Sequence, residues 1–378
     1  MNKINSKDVS IVVQGKNIAE HTYNCLKSLR TNFPDAEIIF STYENEDIKS
    51  LDFDILVTSA DPKATLLFDK MYNNINRILV TTRAGLQKVS RKYCLKIRSD
   101  LYFDNDKLLL DIASFFPIRD EKFAIFKNRV LFYCLWSRKF EYINNKYLIQ
   151  TPFHLSDWMC FGLTEDIKSY FEAIPLTNEP QYSNFFKNPK HRKQLFFDYN
   201  VSWRFPPEQY FAVTFFSQFF AQAKMESAQD VKPMQMEFSK QVFASNVVVC
   251  GYKECGAYIQ KKEYKYASKH INWLKGIWLS GVYRYADFLA DYKKYCDKNF
   301  KIPLIYLWSL NQQIDNDTIK IHKHYLAFIK PIKMFLKWIE QFFSIMYYGL
   351  RIVSNFLKIY FQALIKKYFL LFLLVYAF

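Results

Sequence analysis

Short apolar runs that end in polar residues alternate with helical patterns along the first part of the chain. Residues 9–13, 36–41 and 53–58 predict three buried strands, each followed by polar or turn-forming residues. Between the first two, apolar side chains recur at helical spacing from residue 20 to residue 30. Because strands alternate with helices, the pattern predicts an α/β fold with a mixed, mostly parallel sheet flanked by helices.

Residues 93–100 form the stretch with the clearest chemical signal. The order Tyr-Cys-Leu-Lys-Ile-Arg-Ser-Asp places Lys96, Arg98 and Asp100 two residues apart. In a strand, this spacing puts two cations and a carboxylate on one face and the apolar residues between them on the other. Ligands of open α/β sheets bind at the carboxyl ends of strands. The stretch therefore predicts a charged site there, and a surface strand with a salt bridge is the alternative.

The remaining pattern predicts further elements. In chain order these are a long helix over residues 66–89, one or two strands within 123–136, a loop at 151–158, an element beginning at 159, a helix at 164–174, a helix from 207, strands within 236–249, a largely helical stretch at 264–296 and a last strand at 302–310.

Composition excludes several classes of protein. The chain has 378 residues, of which half are hydrophobic, so it can bury a sizeable core. It contains only 8 glycines and has neither a Gly-x-Gly-x-x-Gly motif nor a Walker loop, which argues against a dinucleotide oxidoreductase or a P-loop nucleotidase. The 7 cysteines include no Cys-x-x-Cys pair and no zinc-like set. These cysteines, and an N-terminus without an apolar signal core, predict a cytoplasmic protein.

Half of the net charge of +16 lies at the C-terminal end. From Lys320 onward there are nine lysines and arginines, whereas Glu340 is the only acid. Apolar residues recur there at spacings of three and four, but the longest uncharged run, at 368–378, is shorter than the roughly 20 residues that span a bilayer. We therefore predict that residues 319–378 form a basic amphipathic helical tail on a membrane surface. A helical hairpin packed on the domain is the alternative. Because no nucleic-acid-binding motif accompanies the charge, no nucleic-acid partner is expected.

Six fragments occur in an order that resembles a known family. They are Val12-Val13-Gln14-Gly15, the stretch 33–39 (Phe-Pro-Asp-Ala-Glu-Ile-Ile), Asn74-Ile75-Asn76-Arg77, the Lys96–Asp100 stretch, Ser156-Asp157-Trp158 and Pro207-Glu208-Gln209-Tyr210. Together they resemble the WavE lipopolysaccharide-synthesis family of glycosyltransferases over roughly residues 8–250. The resemblance implies a GT-A-like fold, a nucleotide-sugar donor and a lipid-linked oligosaccharide acceptor.

The resemblance also implies where the donor binds. Enzymes with this fold usually hold Mn²⁺ or Mg²⁺ with an Asp-x-Asp motif at the end of a central strand, and the corresponding residues here are Arg98-Ser99-Asp100. Two alternatives follow: Asp100 helps to ligate Mn²⁺ or Mg²⁺, or Arg98 and Lys96 neutralise the diphosphate directly. The other predicted donor-side residues are Gln14, Gly15, Tyr43, Glu44, Asp61, Asn76 and Arg77.

For the acceptor, an inverting transferase needs a carboxylate that removes a hydroxyl proton. Asp157 is the first choice for this base and Glu208 the second, with a structural helix cap as the alternative for each. Trp158 is predicted to stack on the acceptor sugar. His154 is a candidate neighbour of Asp157.

The predicted organisation has three parts. Residues 1–250 form the GT-A-like domain, residues 251–318 complete it with mostly helical structure, and residues 319–378 form the tail. The predicted function is sugar transfer to lipopolysaccharide or another surface glycan, by an enzyme peripheral to the cytoplasmic face of the inner membrane. The alternative is a non-catalytic scaffold with the same fold in a surface-polysaccharide assembly complex, which the incomplete Asp-x-Asp motif motivates.

Overall fold

A seven-stranded sheet forms the centre of the computed structural model. The structure describes residues 3–66, 72–143, 147–192, 204–261, 265, 269 and 281–311, so the predicted tail lies outside the described residues. The strands of the central sheet are β1 (Val9–Gln14), β2 (Glu37–Tyr43), β3 (Ile55–Ser59), β4 (Tyr93–Arg98), β5 (Val130–Tyr133), β6 (Met159–Leu163) and β7 (Val247–Cys250).

The order of these strands is β7-β5-β6-β4-β1-β2-β3. Every neighbouring pair is parallel except the two that involve β6, which runs antiparallel to β4 and to β5. The sheet is therefore mixed and mostly parallel, and helices flank it. This arrangement confirms the GT-A-like α/β fold expected from the sequence.

Besides five short 3₁₀-helices, nine α-helices have bounds among the described residues. They are α1 (Glu20–Asn32), α2 (Ile75–Leu86), α3 (Thr164–Glu172), α4 (Pro189–Arg192), α5 (Pro207–Phe216), α6 (Gln235–Asn246), α7 (Tyr252–Cys255), α8 (Tyr285–Tyr295) and α9 (Leu304–Asn311). Three short antiparallel pairs lie outside the central sheet: Thr65–Leu66 with Tyr72–Asn73, Leu101–Phe103 with Ala257–Ile259, and Phe140–Ile143 with Tyr147–Gln150. No helix among the described residues is long and apolar enough to cross a membrane.

Strand β1 lies at the centre of the core. All six of its residues are buried, as expected for a parallel strand that is covered on both faces. Helix α2 packs on β1, β2 and β3, and the close approach depends on Gly85. A Cβ atom at Gly85 would lie 2.4 Å from Val12 Cγ1. The sheet thus places the ends of β1 and β4 side by side, in register from Val9–Tyr93 to Gln14–Arg98.

The long helix predicted over residues 66–89 is wrong in its first part. The helix begins only at Ile75, because Asn73 accepts a hydrogen bond from the Ile75 amide at 2.9 Å and so defines its first turn. The Asn73 amide also donates to Ser183 Oγ at 2.7 Å. Residues 65–66 and 72–73 form one of the short antiparallel pairs instead.

Two predicted strands near the end of the described chain are helices. Most of 236–249 is α6, and only Val247–Cys250 is a strand. The buried face of α6 includes the polar residues Ser239 and Asn246. The apolar residues of α6 alone therefore do not show a helical spacing. The stretch 302–310 is mostly α9, which starts just after Pro303. An apolar run of this length fits either a strand or a buried helix, and Pro303, directly before the first turn, favours the helix.

Candidate active site at the carboxyl edge of the sheet

The carboxyl ends of β1 and β4 meet where the strand order reverses direction. From β1 the chain proceeds to β2 and β3 on one side, whereas β4 lies on the other side. A crevice forms at such a switch point, and ligands of open α/β sheets bind there. The Ser99 amide donates to Gln14 O at 3.2 Å, and Ser99 Oγ donates to Lys16 O at 2.8 Å. Gly15, with a φ of 113°, forms the turn between them, so the two strand ends are bound together.

Arg98 and Asp100 form a bidentate ion pair at this point. Arg98 Nε and Nη2 donate to the two carboxylate oxygens of Asp100 at 3.0 and 2.8 Å. The Asp100 side chain is 1% exposed, whereas that of Arg98 is 26% exposed. Lys261 adds a second cation 3.3 Å from Asp100. Burial alone would raise the pKa of Asp100, but these two cations outweigh it and leave that pKa below its usual value.

The guanidinium of Arg98 also stacks on Trp158. The distance from Arg98 Cζ to the ring centroid is 3.8 Å, and the Arg98 amide donates to Trp158 O at 3.0 Å. Because β6 is antiparallel to β4, the residues that precede Met159 lie beside the end of β4. The antiparallel strand therefore brings Asp157 and Trp158 to the edge where Arg98 ends its own strand.

Lys96 lies beneath this edge and is fully buried. Its Nζ donates to the backbone carbonyl of Asp157 and lies 5.6 Å from the centre of the Phe171 ring. Burial lowers the pKa of Lys96, and the nearby charge of Asp157 opposes this shift. In the described structure Lys96 therefore supports the Asp157 loop from below, and its ammonium does not reach the surface of the crevice.

Asp157 and Glu208 form a pair of carboxyl groups on the same edge. Asp157 is 6% exposed, and Glu208 lies in the first turn of α5, which Gln209 ties to the Asp157 loop by donating to Pro152 O at 2.9 Å. Burial and the negative charge of Asp157 raise the pKa of Glu208 to about 8. Glu208 therefore keeps its proton at pH 7. A carboxyl group with a raised pKa beside a second carboxyl group is suited to acid–base chemistry.

The pKa of Arg98 is affected by both carboxyl groups. Burial alone would lower its pKa, but the charges of Asp100, Asp157 and Glu208 raise it above its usual value. Arg98 is therefore a permanent cation whose charge interacts with Asp100 and with the two carboxyl groups.

A second loop with aromatic and basic residues lies beside the Asp157 loop. It follows β5 and carries Trp136 and Arg138, whose guanidinium lies 5.0 Å from the Trp136 ring centroid. The centroids of the Trp136 and Trp158 rings are 6.4 Å apart. His154 is 3% exposed, and burial together with the charge of Arg138 lowers its pKa to about 3. His154 is therefore a neutral imidazole at the edge of the site.

The sequence analysis missed Trp136, Arg138 and Lys261. Trp136 and Arg138 follow a parallel strand, so the rule that pointed to the ends of β1 and β4 could have found them. Lys261 carries no local signal, because it lies far along the chain from Asp100 and reaches it only after folding.

The remaining donor-side candidates form a second group at the ends of β2 and β3. Arg77 makes two 2.9 Å bonds to Asp61, and its guanidinium lies 4.8 Å from the Tyr43 ring centroid. Glu44 is exposed at the end of β2. The Tyr43 hydroxyl donates to Arg77 O at 3.2 Å. In this group the charges of Arg77 and Asp61 are therefore paired with each other.

Two candidates are engaged in contacts within the fold. Gln14 is 4% exposed and accepts a hydrogen bond from Thr81 Oγ1 at 2.9 Å. Asn76 accepts from the Thr177 amide at 2.7 Å and donates to Thr177 O at 3.1 Å. These bonds hold α2 against β1 and against the segment around Thr177.

The described residues do not provide a ready-made metal site. No group of three or more His, Cys, Asp or Glu side chains among them is arranged to hold an ion. Both oxygens of Asp100 bond to Arg98, and one of them also lies beside Lys261. Binding of Mn²⁺ or Mg²⁺ by Asp100 stays a prediction, and it would require these cations to release a carboxylate oxygen.

Comparison with known proteins identifies the family. The model of the family described as WavE lipopolysaccharide synthesis matches residues 9–323, which is most of the chain and extends beyond the six fragments. The chain belongs to this family, and involvement in lipopolysaccharide synthesis follows from that membership. No curated protein matches the chain.

Proposed function

We propose that this member of the WavE family is a glycosyltransferase that moves a sugar from a nucleotide-sugar donor to lipopolysaccharide or another surface glycan. The observation that carries the proposal is the juxtaposition of a stacked, permanently charged Arg98 with the carboxyl pair Asp157 and Glu208. A cation and an acid–base pair at one sheet edge are the groups that sugar transfer from a diphosphate requires.

In this proposal the donor diphosphate binds beside Arg98. When the bond between sugar and phosphate breaks, negative charge develops on the diphosphate, and a positioned guanidinium stabilises it by bidentate hydrogen bonds. The Arg98 side chain is partly exposed, whereas its partner Asp100 is buried and fixes its orientation. Lys261, 34% exposed, supplies a second cation. The nucleoside would lie toward Gly15, Tyr43 and Glu44, at the ends of β1 and β2.

The acceptor hydroxyl would lose its proton to Asp157. At neutral pH Glu208 keeps its proton, so it does not compete with Asp157 for the proton of the hydroxyl. The buried ammonium of Lys96 holds the Asp157 backbone, which fixes the base relative to Arg98. Arg98, Asp100 and Lys261 thus serve the leaving group, and Asp157 and Glu208 serve the attacking hydroxyl.

A divalent ion, if it is bound, would supply further charge neutralisation on the diphosphate. Because both oxygens of Asp100 are engaged by Arg98, we assign the neutralising role to Arg98 and Lys261 and derive no step through a metal. Attachment to the membrane surface through residues 319–378 and a cytoplasmic location are parts of the same proposal. The attachment rests on the sequence of the tail, and the location rests on the cysteine content.

Calorimetric titration of the full-length protein with a panel of nucleoside diphosphates and sugar nucleotides tests the proposal. One base should bind with micromolar affinity, and Arg98→Lys should weaken this binding about tenfold or more, because lysine can neither bind a phosphate in two places nor stack on Trp158 in the same way. Arg30→Lys is the matched control, since Arg30 also pairs with aspartates, Asp52 and Asp54, but at the opposite edge of the sheet.

Titrations with Mn²⁺ and with EDTA then separate the two ways of neutralising the diphosphate. Binding that survives EDTA supports the role of Arg98 and Lys261, whereas binding that disappears assigns the role to a metal held with Asp100. If the folded protein binds no ligand of the panel, the enzyme proposal is wrong. The result would favour the non-catalytic scaffold, with which the pairing of Arg98 and Asp100 within the protein also agrees.

A further inference from the structure

Two arginines and two tryptophans form a continuous stack along the site edge. Arg98 lies 3.8 Å from the Trp158 ring centroid, Trp158 lies 6.4 Å from Trp136, and Arg138 lies 5.0 Å from the Trp136 ring centroid. The stack starts at the end of β4, where the diphosphate is proposed to bind, and runs past Asp157 to the loop after β5. It therefore connects the donor side of the site to a surface on the acceptor side.

The two tryptophans differ in their access to solvent. Trp158 is only 7% exposed, and the Arg98 guanidinium covers one of its faces. Trp136 is partly exposed. Trp158 is therefore poorly placed to receive a sugar ring and instead orients Arg98, whereas Trp136 is exposed in part, although its indole nitrogen is buried.

Trp136 has an uncommon backbone conformation. Its φ of 71° lies in the left-handed region, which costs a side chain with a Cβ atom about 1–2 kcal/mol. Glycine would avoid this cost. The backbone conformation of the loop therefore does not explain why a large aromatic side chain occupies this position. Strain of this kind concentrates at functional sites.

The loop around Trp136 is braced from three directions. The Arg138 amide donates to His154 O at 3.0 Å, the Ser156 amide donates to Ser137 Oγ at 2.9 Å, and the Tyr283 amide donates to Ser137 O at 2.7 Å. These bonds hold the strained loop against the Asp157 loop and against the residues just before α8. The indole is therefore presented on a rigid support next to the acid–base pair.

A charge on this loop also acts on Glu208. The charge of Arg138 acts on the carboxyl group of Glu208 and lowers its pKa, which partly offsets the effects of burial and of Asp157. The charges of Asp157, Arg138 and Arg98 all act on Glu208, so this carboxyl group lies near the loop that carries Trp136.

We propose that Trp136 is the specificity-determining residue of the acceptor subsite, where its indole stacks on the apolar face of a pyranose ring and presents a hydroxyl of that ring to Asp157. Sugar rings have apolar C–H faces that pack on aromatic side chains, while their hydroxyl groups need directed polar partners. The inference rests on the proposed glycosyl transfer and extends it by naming the group that holds the acceptor. Trp158, predicted from the sequence to be this platform, is reassigned to positioning Arg98.

Binding of deacylated lipopolysaccharide core oligosaccharides, measured by saturation-transfer NMR in the presence of the nucleoside diphosphate that binds, tests the inference on the full-length protein. Trp136→Ala should raise the dissociation constant of the oligosaccharide about tenfold, or by about 1.4 kcal/mol, and leave nucleotide affinity unchanged. Trp136→Phe should retain most of the binding, because the ring remains. Phe219→Ala is the control, since Phe219 is 50% exposed just beyond the far end of α5.

Trp136→Gly separates a binding role from a structural one. Glycine relieves the left-handed strain, so this variant should melt at a higher temperature than Trp136→Ala while it binds the oligosaccharide equally poorly. Oligosaccharide binding by Trp136→Ala that equals the wild-type value, or a wild-type protein that binds nucleotide but none of the oligosaccharides, would overturn the inference. If the oligosaccharide binds through Trp136 but no nucleotide binds, the inference stands and the proposed sugar transfer fails.

Discussion

Glu208 connects the pH of the solution to the charge of the candidate site. Its pKa of about 8 means that this carboxyl group ionises just above neutral pH. The charge acts on Arg98, beside which the donor diphosphate is proposed to bind. The protonation state of one side chain therefore influences both the stability of the fold and the binding of the donor.

We expect Glu208→Gln to remove the alkaline decline of donor binding. In the wild-type protein, donor affinity should fall as the pH rises through about 8, because ionised Glu208 repels the diphosphate. Glutamine cannot ionise, so the variant should show a flat profile between pH 7 and pH 9. Calorimetric titration over this range measures the effect, and Glu20→Gln, at the first turn of α1, is the control. The same alkaline decline in Glu208→Gln would contradict the assignment.

The same substitution should change stability with a defined sign. The pKa of Glu208 is higher in the folded than in the unfolded protein, so its contribution is fully present below about pH 4.5 and is lost as the pH rises through about 8. Glu208→Gln should therefore be more stable than the wild type at pH 9. The difference should be about 2 kcal/mol, which is less than the full pKa shift implies, because solvent reaches part of this side chain. Urea unfolding at pH 5 and pH 9 measures the difference.

At the scale of single residues, the sequence predicted which residues belong to the site better than it predicted what those residues contact. Spacing placed Arg98 and Asp100 at a strand end, and the structure pairs them there. The same spacing grouped Lys96 with them on one strand face. It could not show that this face becomes buried against Phe171 before the strand ends, because burial depends on α3, which lies far along the chain.

At the scale of elements, the contact between α2 and β1 shapes the donor side of the site. Helix α2 carries Arg77 and Thr81, which contact Tyr43 and Gln14 at the ends of β2 and β1. The helix reaches the sheet because Gly85 has no side chain. A Cβ atom there would lie 2.4 Å from Val12 Cγ1 and 3.0 Å from Ser41 Cβ.

We expect Gly85→Ala to destabilise the protein by about 1–3 kcal/mol, even though alanine favours helices by about 1 kcal/mol over glycine. The new methyl group overpacks the contact with β1, and this cost exceeds the gain in helix propensity. Gly162→Ala is the matched control, because its nearest contact would be a milder 3.3 Å to Val130 Cγ2. Urea unfolding gives both values. In the Gly85→Ala background, Val12→Ala should cost less than it does alone, and simple additivity would argue against the clash.

The spacing of apolar residues predicted the first four strands of the central sheet. It did not predict helix α6, whose buried face includes polar residues. In α6, Ser239, Val242, Phe243 and Asn246 recur at helical spacing, but two of the four are polar. Their polarity is satisfied by the backbone: Ser239 accepts from the Phe153 amide, and Asn246 accepts from the Ile125 and Phe126 amides. A pattern of apolar residues alone cannot reveal a buried helical face of this kind.

At the scale of the whole molecule, the chain combines a folded domain with a strongly basic end. The domain contains the paired charges of the candidate site, whereas residues 320–378 carry nine basic residues against one acid. The family match ends at residue 323, close to where this composition begins. In the proposed function the acceptor is lipid-linked, so the enzyme needs access to a membrane surface, and the basic end offers a means of attachment.

We expect the full-length protein to bind vesicles that contain anionic lipid and to bind neutral vesicles far more weakly. Each lysine or arginine near an anionic surface contributes about 1 kcal/mol, so changing Lys333, Lys337, Arg351 and Lys358 together to glutamine should weaken binding on the order of a hundredfold or more. A control that changes four lysines of the domain surface (Lys7, Lys27, Lys49 and Lys63) to glutamine loses the same net charge and should bind nearly as the wild type does. Co-sedimentation at rising salt measures both variants, and the wild-type binding should weaken as the salt screens the charges. Equal losses in the two variants would show that net charge alone, and not the basic end of the chain, holds the protein at the membrane.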